Sequence, residues 1–166
     1  MIELDVRDLV GHPGTSRVVH VDEPVEGLEL ELSSVPVEHP IEADLMLESV
    51  VEGILVTGPL HGMIRFSCAR CLKTFEQPFA LEVSELFAPP AAEDDDGYPL
   101  GPEGAIDIEP MVRDAVLLSM PFSPLCKRDC AGLCPRCGGD RNLGECVCGP
   151  ELADERWTVL NEIRFD

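Results

Sequence analysis

Eight cysteines are the residues of this 166-residue chain best suited to do chemistry, and their spacing is that of metal ligands. Six of them lie within residues 126–148. In this segment Cys134-Pro-Arg-Cys137 and Cys146-Val-Cys148 form two close thiol pairs joined by a Gly-rich turn. A short loop lets both sulfurs of a pair face one ion, as tetrahedral zinc requires. The spacing therefore predicts a four-thiolate metal site.

Counting assigns the remaining cysteines, Cys68, Cys71, Cys126 and Cys130, to a second four-thiolate site. The upstream pair has ligand spacing, whereas the three residues between Cys126 and Cys130 suit a helical turn as well as a zinc knuckle. Other pairings of the eight cysteines therefore stay open. All four histidines lie outside both clusters, and thiolates favour zinc or an iron–sulfur cluster over magnesium or calcium. We expect one or two zinc ions, because the last Cys-x-Cys pair differs from ferredoxin spacings.

Three other uses of these cysteines fit the sequence less well. Disulfides form in secreted proteins, but the N-terminus has no basic segment followed by an apolar run, so we expect a cytoplasmic protein with reduced thiols. A thiol oxidoreductase would surround Cys68 and Cys71 with a strand–helix–strand pattern, which is absent. A metal-dependent nuclease needs a vacant metal position, and four thiolates leave none for water. We therefore predict structural metal and no enzyme activity.

The charge of the chain limits the classes of molecule that it is expected to bind. A formal net charge of −20 opposes attraction to nucleic-acid phosphates and favours basic partners. Residues 1–121 carry 24 acidic and six basic residues, whereas residues 122–150 carry three acidic and four basic ones. Those four cations are Lys127, Arg128, Arg136 and Arg141. Because zinc with four thiolates keeps about two negative charges, we expect these cations to screen the metal.

Hydrophobic periodicity predicts the elements that position the cysteines. Apolar residues alternate with charged ones as in strands that bury one face, which favours an antiparallel sheet. Strands are predicted over residues 2–6, 28–32, 45–51, 61–66 and 79–87. Cys68 and Cys71 then lie in the loop of a hairpin, and no apolar run is long enough to span a bilayer.

The rest of the chain predicts an α+β fold of two domains. The first is an antiparallel β-sheet domain over residues 1–121. It includes a mobile acidic loop at 89–105, rich in Pro and Gly, and a covering helix at about 110–120 that begins at a proline. The second is a Cys-rich, zinc-ribbon-like module over residues 122–166. Its tail, 151–166, has apolar residues spaced by three, which predicts a short helix.

Several segments together carry a family resemblance. They are Cys68-Ala-Arg-Cys71-Leu72, an acidic middle region, an apolar helix ending in Pro, Cys126-x3-Cys130-Ala-Gly-Leu-Cys134-Pro-Arg-Cys137-Gly, Asn142-Leu143, Cys146-x-Cys148 and a Trp-Thr-Val-Leu tail. This pattern resembles the YceD family of large-subunit ribosomal RNA accumulation proteins over nearly the whole chain. The resemblance implies a role in the synthesis, processing or stability of large-subunit (23S) rRNA in bacteria or plastids, and it carries over no catalytic residue.

We expect the protein to act in large-subunit assembly as an acidic adaptor. Its sheet domain would hold a basic ribosomal protein or assembly factor, or an assembly intermediate that contains one, and complementary charge would speed that encounter. The zinc module would present a rigid contact, because the segment 126–149 has only three clearly apolar residues besides cysteine to offset its chain entropy. The alternative is direct rRNA binding by its four cations, although only 5% of residues are aromatic and able to stack on bases.

Overall fold

A computed structural model describes residues 1–89 and 97–149 of the chain. Over these residues the chain forms nine strands and one helix. They are β1 (Glu3–Asp5), β2 (Ser16–Glu23), β3 (Glu29–Leu30), β4 (Ser33–Ser34), β5 (Ile41–Ser49), β6 (Ile54–Ser67), β7 (Thr74–Ala88), β8 (Tyr98–Pro99), β9 (Ala105–Asp107) and α1 (Glu109–Ser119). The predicted antiparallel sheet with one short helix is confirmed at this level.

The long hairpin of β6 and β7 organises the main sheet. Its register runs from Ile54 opposite Phe87 to Ser67 opposite Thr74, fourteen antiparallel pairs without a bulge. On the other edge of β6, β5 pairs with the first half and β4 with the far end, while β2 pairs with β5 and β3 with β4. β8 runs parallel to the end of β7, and β1 pairs with β9 separately. The hairpin therefore extends past β5, and the cysteine-bearing loop is at its tip.

One face of this sheet supplies the core. In β5, Ile41, Ala43, Leu45 and Leu47 are buried and the residues between them are exposed, because successive side chains of a strand point to opposite faces. The helix α1 has a proline in its first turn, and its buried side chains belong to the same apolar cluster as those of the strands. Each fully buried Leu or Ile contributes about 1.5–3 kcal/mol, so this region has a core of its own.

Part of the segment 89–105, predicted to be a mobile loop, packs against the sheet, while its mobility stays a prediction. Tyr98 lies in β8, and its ring stacks on Phe87 with 5.3 Å between ring centroids. Leu100 packs against the core as well. The Pro, Gly and acidic composition of the segment concealed these two apolar side chains, which are enough to anchor it to the end of β7.

The strand predictions also need correction: β5 begins at Ile41 and not at residue 45, and β6 begins at Ile54 and not at residue 61. The segment 28–32 is not one strand: Leu28 is buried, but only Glu29 and Leu30 form β3 before the chain turns into β4. The sequence reading missed β2, because the adjacent valines Val18 and Val19 break the alternation of apolar and polar residues. The predicted C-terminal helix, over 151–166, lies outside the described residues. In the described ranges no helix is both long enough and apolar enough to cross a membrane.

Candidate metal centres

The tip of the β6–β7 hairpin brings Cys68 and Cys71 to the segment that follows α1. Backbone hydrogen bonds hold the two together: the Ala69 N–H donates to the Pro124 carbonyl at 2.8 Å, and the Leu133 N–H donates to the Arg70 carbonyl at 2.9 Å. The Arg70 guanidinium also donates to the carbonyl of Cys130 at 2.9 Å. The two residues between the upstream cysteines thus dock the downstream segment.

Two groups of four thiols result. The first cysteine quartet is Cys68, Cys71, Cys126 and Cys130, and the second is Cys134, Cys137, Cys146 and Cys148. Within each quartet all four Sγ atoms lie within 4.8 Å of one another. The structure therefore brings together the same cysteines that counting and spacing had grouped, while metal binding itself stays a prediction.

The sulfur positions in the first quartet fit a tetrahedral zinc ion. The Sγ atoms of Cys68 and Cys130 are 3.8 Å apart, and those of Cys71 and Cys126 are 3.7 Å apart. A zinc–sulfur distance of about 2.3 Å in tetrahedral geometry places neighbouring sulfurs at about 3.8 Å. A disulfide would need about 2.05 Å, and all eight cysteines are free thiols. With four thiolates a zinc ion has no position left for water or substrate.

The two Cys-x-x-Cys motifs fold into the same turn. In the first quartet the Leu72 N–H donates to the Cys68 carbonyl at 2.9 Å, and the Cys68 N–H donates to the Lys73 carbonyl at 3.0 Å. In the second, the corresponding bonds run from Gly138 to Cys134 at 2.8 Å and from Cys134 to Gly139 at 2.9 Å. Leu72 and Gly138 both have positive φ, 58° and 73°. The turn presents both sulfurs of each motif to one side.

Few apolar contacts support the second quartet. Leu133 packs against the first quartet, but Leu143 is 71% and Val147 94% exposed. Polar and backbone contacts hold the loop. The Asp140 carboxylate accepts a hydrogen bond from the N–H of Asn142 at 2.8 Å. Gly132 has φ +71°, and a Cβ placed on it would lie 3.0 Å from the carbonyl oxygen of Arg70. Only glycine fits at that position without strain. Metal is the remaining candidate for the missing core.

Asn142 connects the two quartets. Its side-chain N–H donates to the Sγ of Cys130 at 3.5 Å, and its side-chain oxygen accepts from the Ala131 N–H at 2.9 Å. Sequence reasoning noted Asn142 only as part of a motif and assigned it no role. The signal that could have found it is a side-chain amide placed between two pairs of cysteines. An N–H group that donates to a ligand sulfur stabilises the thiolate, so such an amide is a candidate for this contact.

The thiols of each quartet differ in how readily they ionise. Desolvation opposes ionisation of Cys68, but N–H groups of Cys126, Cys71 and Arg70 donate to its sulfur and lower its pKa to about 6. Desolvation and the neighbouring sulfurs raise the pKa of Cys126 to about 12. Cys68 can thus form a thiolate near neutral pH, whereas Cys126 needs a nearby cation to lose its proton.

The second quartet shows the same contrast. N–H groups of Cys137 and Arg136 lower the pKa of Cys134 to about 6. The Cys148 thiol donates a hydrogen bond to the sulfur of Cys137, which together with desolvation raises its pKa to about 12. Both quartets are therefore suited to bind a divalent ion with release of protons.

Comparison with known sequences places this arrangement in a family. A family model described as large ribosomal RNA subunit accumulation protein YceD matches residues 56–164. The chain belongs to the YceD family. The matched range begins inside β6 and contains the whole hairpin tip and all eight cysteines, so both candidate metal centres lie in the part that YceD proteins share.

Relatives extend the match to nearly the full chain. Uncharacterised proteins of Mycobacterium bovis and Mycobacterium tuberculosis are 35% identical, over 96% of this chain and 80% of their own length. The Arabidopsis thaliana protein named large ribosomal RNA subunit accumulation protein YCED homolog 1, chloroplastic, is 36% identical over 36% of this chain and 18% of its own length. No solved structure matches. The assignment to the YceD family thus rests on sequence comparison, and the geometry of the two quartets comes from the structure of this chain alone.

The structure adds two cations to the four that the sequence placed in the cysteine-rich segment. The hairpin tip carries Arg70 and Lys73, and it docks on that segment. The pKa of the Asp140 carboxyl is lowered first by hydrogen bonds from Asn142 and then by the charges of Lys73 and Lys127, which places both lysines near one carboxylate. Lys127, Arg128, Arg136 and Arg141 are all exposed. The linear charge count missed the two additions because they lie in the acidic part of the sequence.

Proposed function

We propose that this YceD protein supports accumulation of large-subunit rRNA without catalysis, as a zinc-stabilised acidic adaptor for a basic ribosomal protein or an assembly intermediate. Family membership supplies the biological context. The separation of charge in the molecule is the observation that carries the adaptor role.

Charge is divided between the two ends of the molecule. Residues 1–121 hold 24 of the 32 acidic residues. The metal end, formed by the hairpin tip and residues 122–149, holds half of the chain's 12 Lys and Arg residues: Arg70, Lys73, Lys127, Arg128, Arg136 and Arg141. The acidic sheet domain is therefore the end that complements a basic ribosomal protein, and such complementarity raises the association rate.

Zinc would give the metal end its shape. The described residues of the metal end bury little apolar surface besides the cysteines themselves. The folding of this end would therefore depend on the metal–thiolate bonds. A rigid end next to an acidic end lets one small protein hold a partner in a defined orientation. The four-thiolate ligand sets also support a structural and not a catalytic role for the metal.

Co-purification tests this proposal. The tagged protein should recover large-subunit ribosomal proteins or precursor particles from cells at about 0.1 M salt and lose most of them at about 0.5 M, because screening weakens attraction between exposed charges. A tagged acidic protein of similar size and net charge serves as the control for non-specific binding. Recovery of no large-subunit component above this control would refute the adaptor role.

Direct rRNA contact is the second candidate, favoured by the six cations at the metal end. Three acidic residues, Asp129, Asp140 and Glu145, share this end, and two zinc–thiolate centres would add about four negative charges. The net charge of the metal end then falls near zero. This supports contacts of individual cations with a few phosphates, and not a general attraction of this end to RNA. A gel shift with large-subunit rRNA fragments that is lost on Ala substitution of the five cations other than Arg70, whose side chain holds the Cys130 carbonyl, would support this candidate over the first.

A further inference from the structure

The four central strands expose a face with an unusual composition. Every second residue of β2, β5, β6 and β7 over 16–22, 42–48, 55–61 and 80–86 points away from the core, and these residues lie opposite one another in the sheet register. We call this surface the outer sheet face. None of its side chains is buried, so within residues 1–89 and 97–149 the face is accessible to solvent.

Acidic side chains dominate the charge of the outer sheet face. It carries five carboxylates: Asp22, Glu42, Asp44, Glu48 and Glu82. It carries no Lys or Arg. Among the described residues only one of the five has an ionic partner: Asp44 accepts a hydrogen bond from His20 at 2.8 Å, and this bond raises the pKa of the imidazole. The other four carboxylates form no ion pair within the described parts of the molecule, although the charges of Asp22 and Glu42 also raise the pKa of His20.

An apolar stripe crosses the same face. Val18 is 68% exposed and lies opposite Met46, which is 43% exposed. Leu55, half-buried, lies opposite Leu86, which is 38% exposed, in the adjacent row. The two rows are diagonal neighbours about 7–8 Å apart. Large apolar side chains on the solvent side of strands mark an interaction surface when they are contiguous.

We propose that the outer sheet face is the docking surface for a basic, amphipathic segment of a partner protein, an inference that rests on the adaptor function proposed above. Lys or Arg side chains of the partner would pair with the carboxylates, and its apolar side chains would cover the stripe. The partner must be cationic, because the face carries five carboxylates but no Lys or Arg, and its only basic side chains are two histidines, His20 and His61.

Charge also distinguishes this occupant from the others that an open sheet face can take. A second copy of the chain packed face to face would bring two sets of five carboxylates together, and like charges at an interface oppose association. RNA phosphates are repelled for the same reason. A basic protein segment satisfies both the carboxylates and the stripe.

Matched variants test the docking surface. The face variant is Glu42→Gln with Glu48→Gln and Glu82→Gln, and the control variant is Glu26→Gln with Glu29→Gln and Glu52→Gln. Each removes three negative charges from side chains that have no ion pair in the described structure, and the control residues lie away from the face. A third variant, the stripe variant, is Val18→Thr with Met46→Gln, which removes the more exposed row of the apolar stripe at constant charge.

The probe is the protein fraction extracted from purified large ribosomal subunits and freed of rRNA. Mass spectrometry identifies what the wild-type protein retains, and the dissociation constant of that purified ribosomal protein is then measured for each variant. We expect the face variant to bind roughly tenfold more weakly at low salt, with the control variant within about twofold of wild type. The stripe variant should also bind more weakly, with a loss that persists at high salt because apolar contacts are not screened.

The outcomes separate this inference from the adaptor proposal. If wild type binds a ribosomal protein and both charge variants weaken equally, or neither does, the docking surface is refuted and the adaptor function stands. If wild type binds only particles that contain rRNA, the face does not bind a basic protein segment. If wild type forms a dimer that the stripe variant dissociates, the face binds a second copy of the chain; either result refutes the proposed occupant. If wild type retains no large-subunit protein, the adaptor function itself fails, and the docking surface fails with it.

Discussion

The two cysteine quartets differ in the structure that supplies their thiols. The first takes two thiols from the tip of a hairpin whose strands form fourteen residue pairs. The second takes all four from residues 134–148, where the described structure has only one isolated β-bridge, between Leu133 and Asp140. In the first quartet Cys68, Cys71 and Cys130 are buried. In the second, Cys137 is exposed and the nearby Leu143 and Val147 face solvent. The two quartets thus share one turn but differ in what surrounds it.

This difference separates two uses of a metal ion. At the first quartet the sheet would hold the hairpin tip in place without metal, so the ion's main effect would be to attach the downstream segment to it. At the second quartet the described residues form no apolar cluster to offset the chain entropy, so the free energy of metal binding would be free energy of folding. The same ligand set would therefore attach one segment to another at the first quartet and replace a hydrophobic core at the second.

The largest expected effect comes from removing one ligand of the second quartet. Cys137→Ser should remove one metal equivalent and unfold residues 130–148 while most of the sheet stays folded, because structural zinc supplies about 10–16 kcal/mol to small metal modules. Limited proteolysis with mass spectrometry, together with elemental analysis, checks this outcome.

Cys71→Ser is the matched variant for that experiment. It should also lose one metal equivalent, but the second module should keep its own metal and detach as a folded unit. Unchanged protease protection of residues 130–148 in Cys137→Ser would contradict the view that metal replaces a core there.

Metal removal should distinguish the two quartets by rate. A chelator added to protein loaded with two zinc ions should withdraw the ion of the less buried second quartet at least about tenfold faster than that of the first quartet, because local opening of the sheet-anchored site costs more free energy. A colorimetric zinc indicator follows both phases. The fast phase should be missing in Cys137→Ser, and a single phase in the wild type would show that the two centres open together.

A smaller effect is expected at the link between the quartets. Asn142→Ala removes the N–H donor to Cys130 and the acceptor for the Ala131 N–H, and each lost hydrogen bond of this kind costs about 0.5–1.5 kcal/mol. The free energy of unfolding of the metal end should fall accordingly, as measured by denaturant titration with zinc present.

Asn142→Asp sharpens this test. It keeps an acceptor for Ala131 but replaces the donor with a carboxylate close to the thiolates, so it should weaken zinc binding at the first quartet more than Asn142→Ala does. Equal zinc affinity in wild type and both variants would mean that Asn142 supports the second loop alone.

How far the sequence predicts these two regions depends on whether the signal is local. The spacing of Cys134, Cys137, Cys146 and Cys148 is local, and it grouped the four thiols that the structure brings together there; the first quartet was grouped only by counting, with other pairings left open, and its hairpin loop was predicted from the flanking strands. The alternation in β5 is local as well, and it predicted the strand. Local chemistry thus predicted the sheet and the second set of thiols.

Features that depend on long-range contacts were not predictable. Tyr98 anchors its segment only because Phe87 lies opposite, and nothing in a Pro- and Gly-rich sequence reveals that partner. Arg70 and Lys73 join the downstream cations only because the hairpin tip docks on them, so a count along the chain assigned them to the acidic region. The strand β2 was hidden because Val18, on the outer sheet face, is exposed where alternation predicts a polar residue.

The smallest expected effect tests whether the two turns are equivalent. Leu72 adopts φ 58° where the second turn has Gly138, and a side chain in this left-handed conformation costs about 1–2 kcal/mol. Leu72 is 62% exposed, so its replacement loses little packing. Leu72→Gly should therefore stabilise the zinc-loaded protein by about 0.5–1 kcal/mol, since glycine's greater freedom in the unfolded chain returns part of the gain. Denaturant titration measures this difference.

Two companion variants isolate the backbone conformation as the cause. Leu72→Ala removes the same side chain but keeps a Cβ at positive φ, so it should not reproduce the gain. Gly138→Ala adds a Cβ at φ 73° in open space and should destabilise by about 1–2 kcal/mol. If Leu72→Ala stabilises as much as Leu72→Gly, the gain comes from removing an exposed apolar side chain, and the strain in the first turn is already offset by its attachment to the sheet.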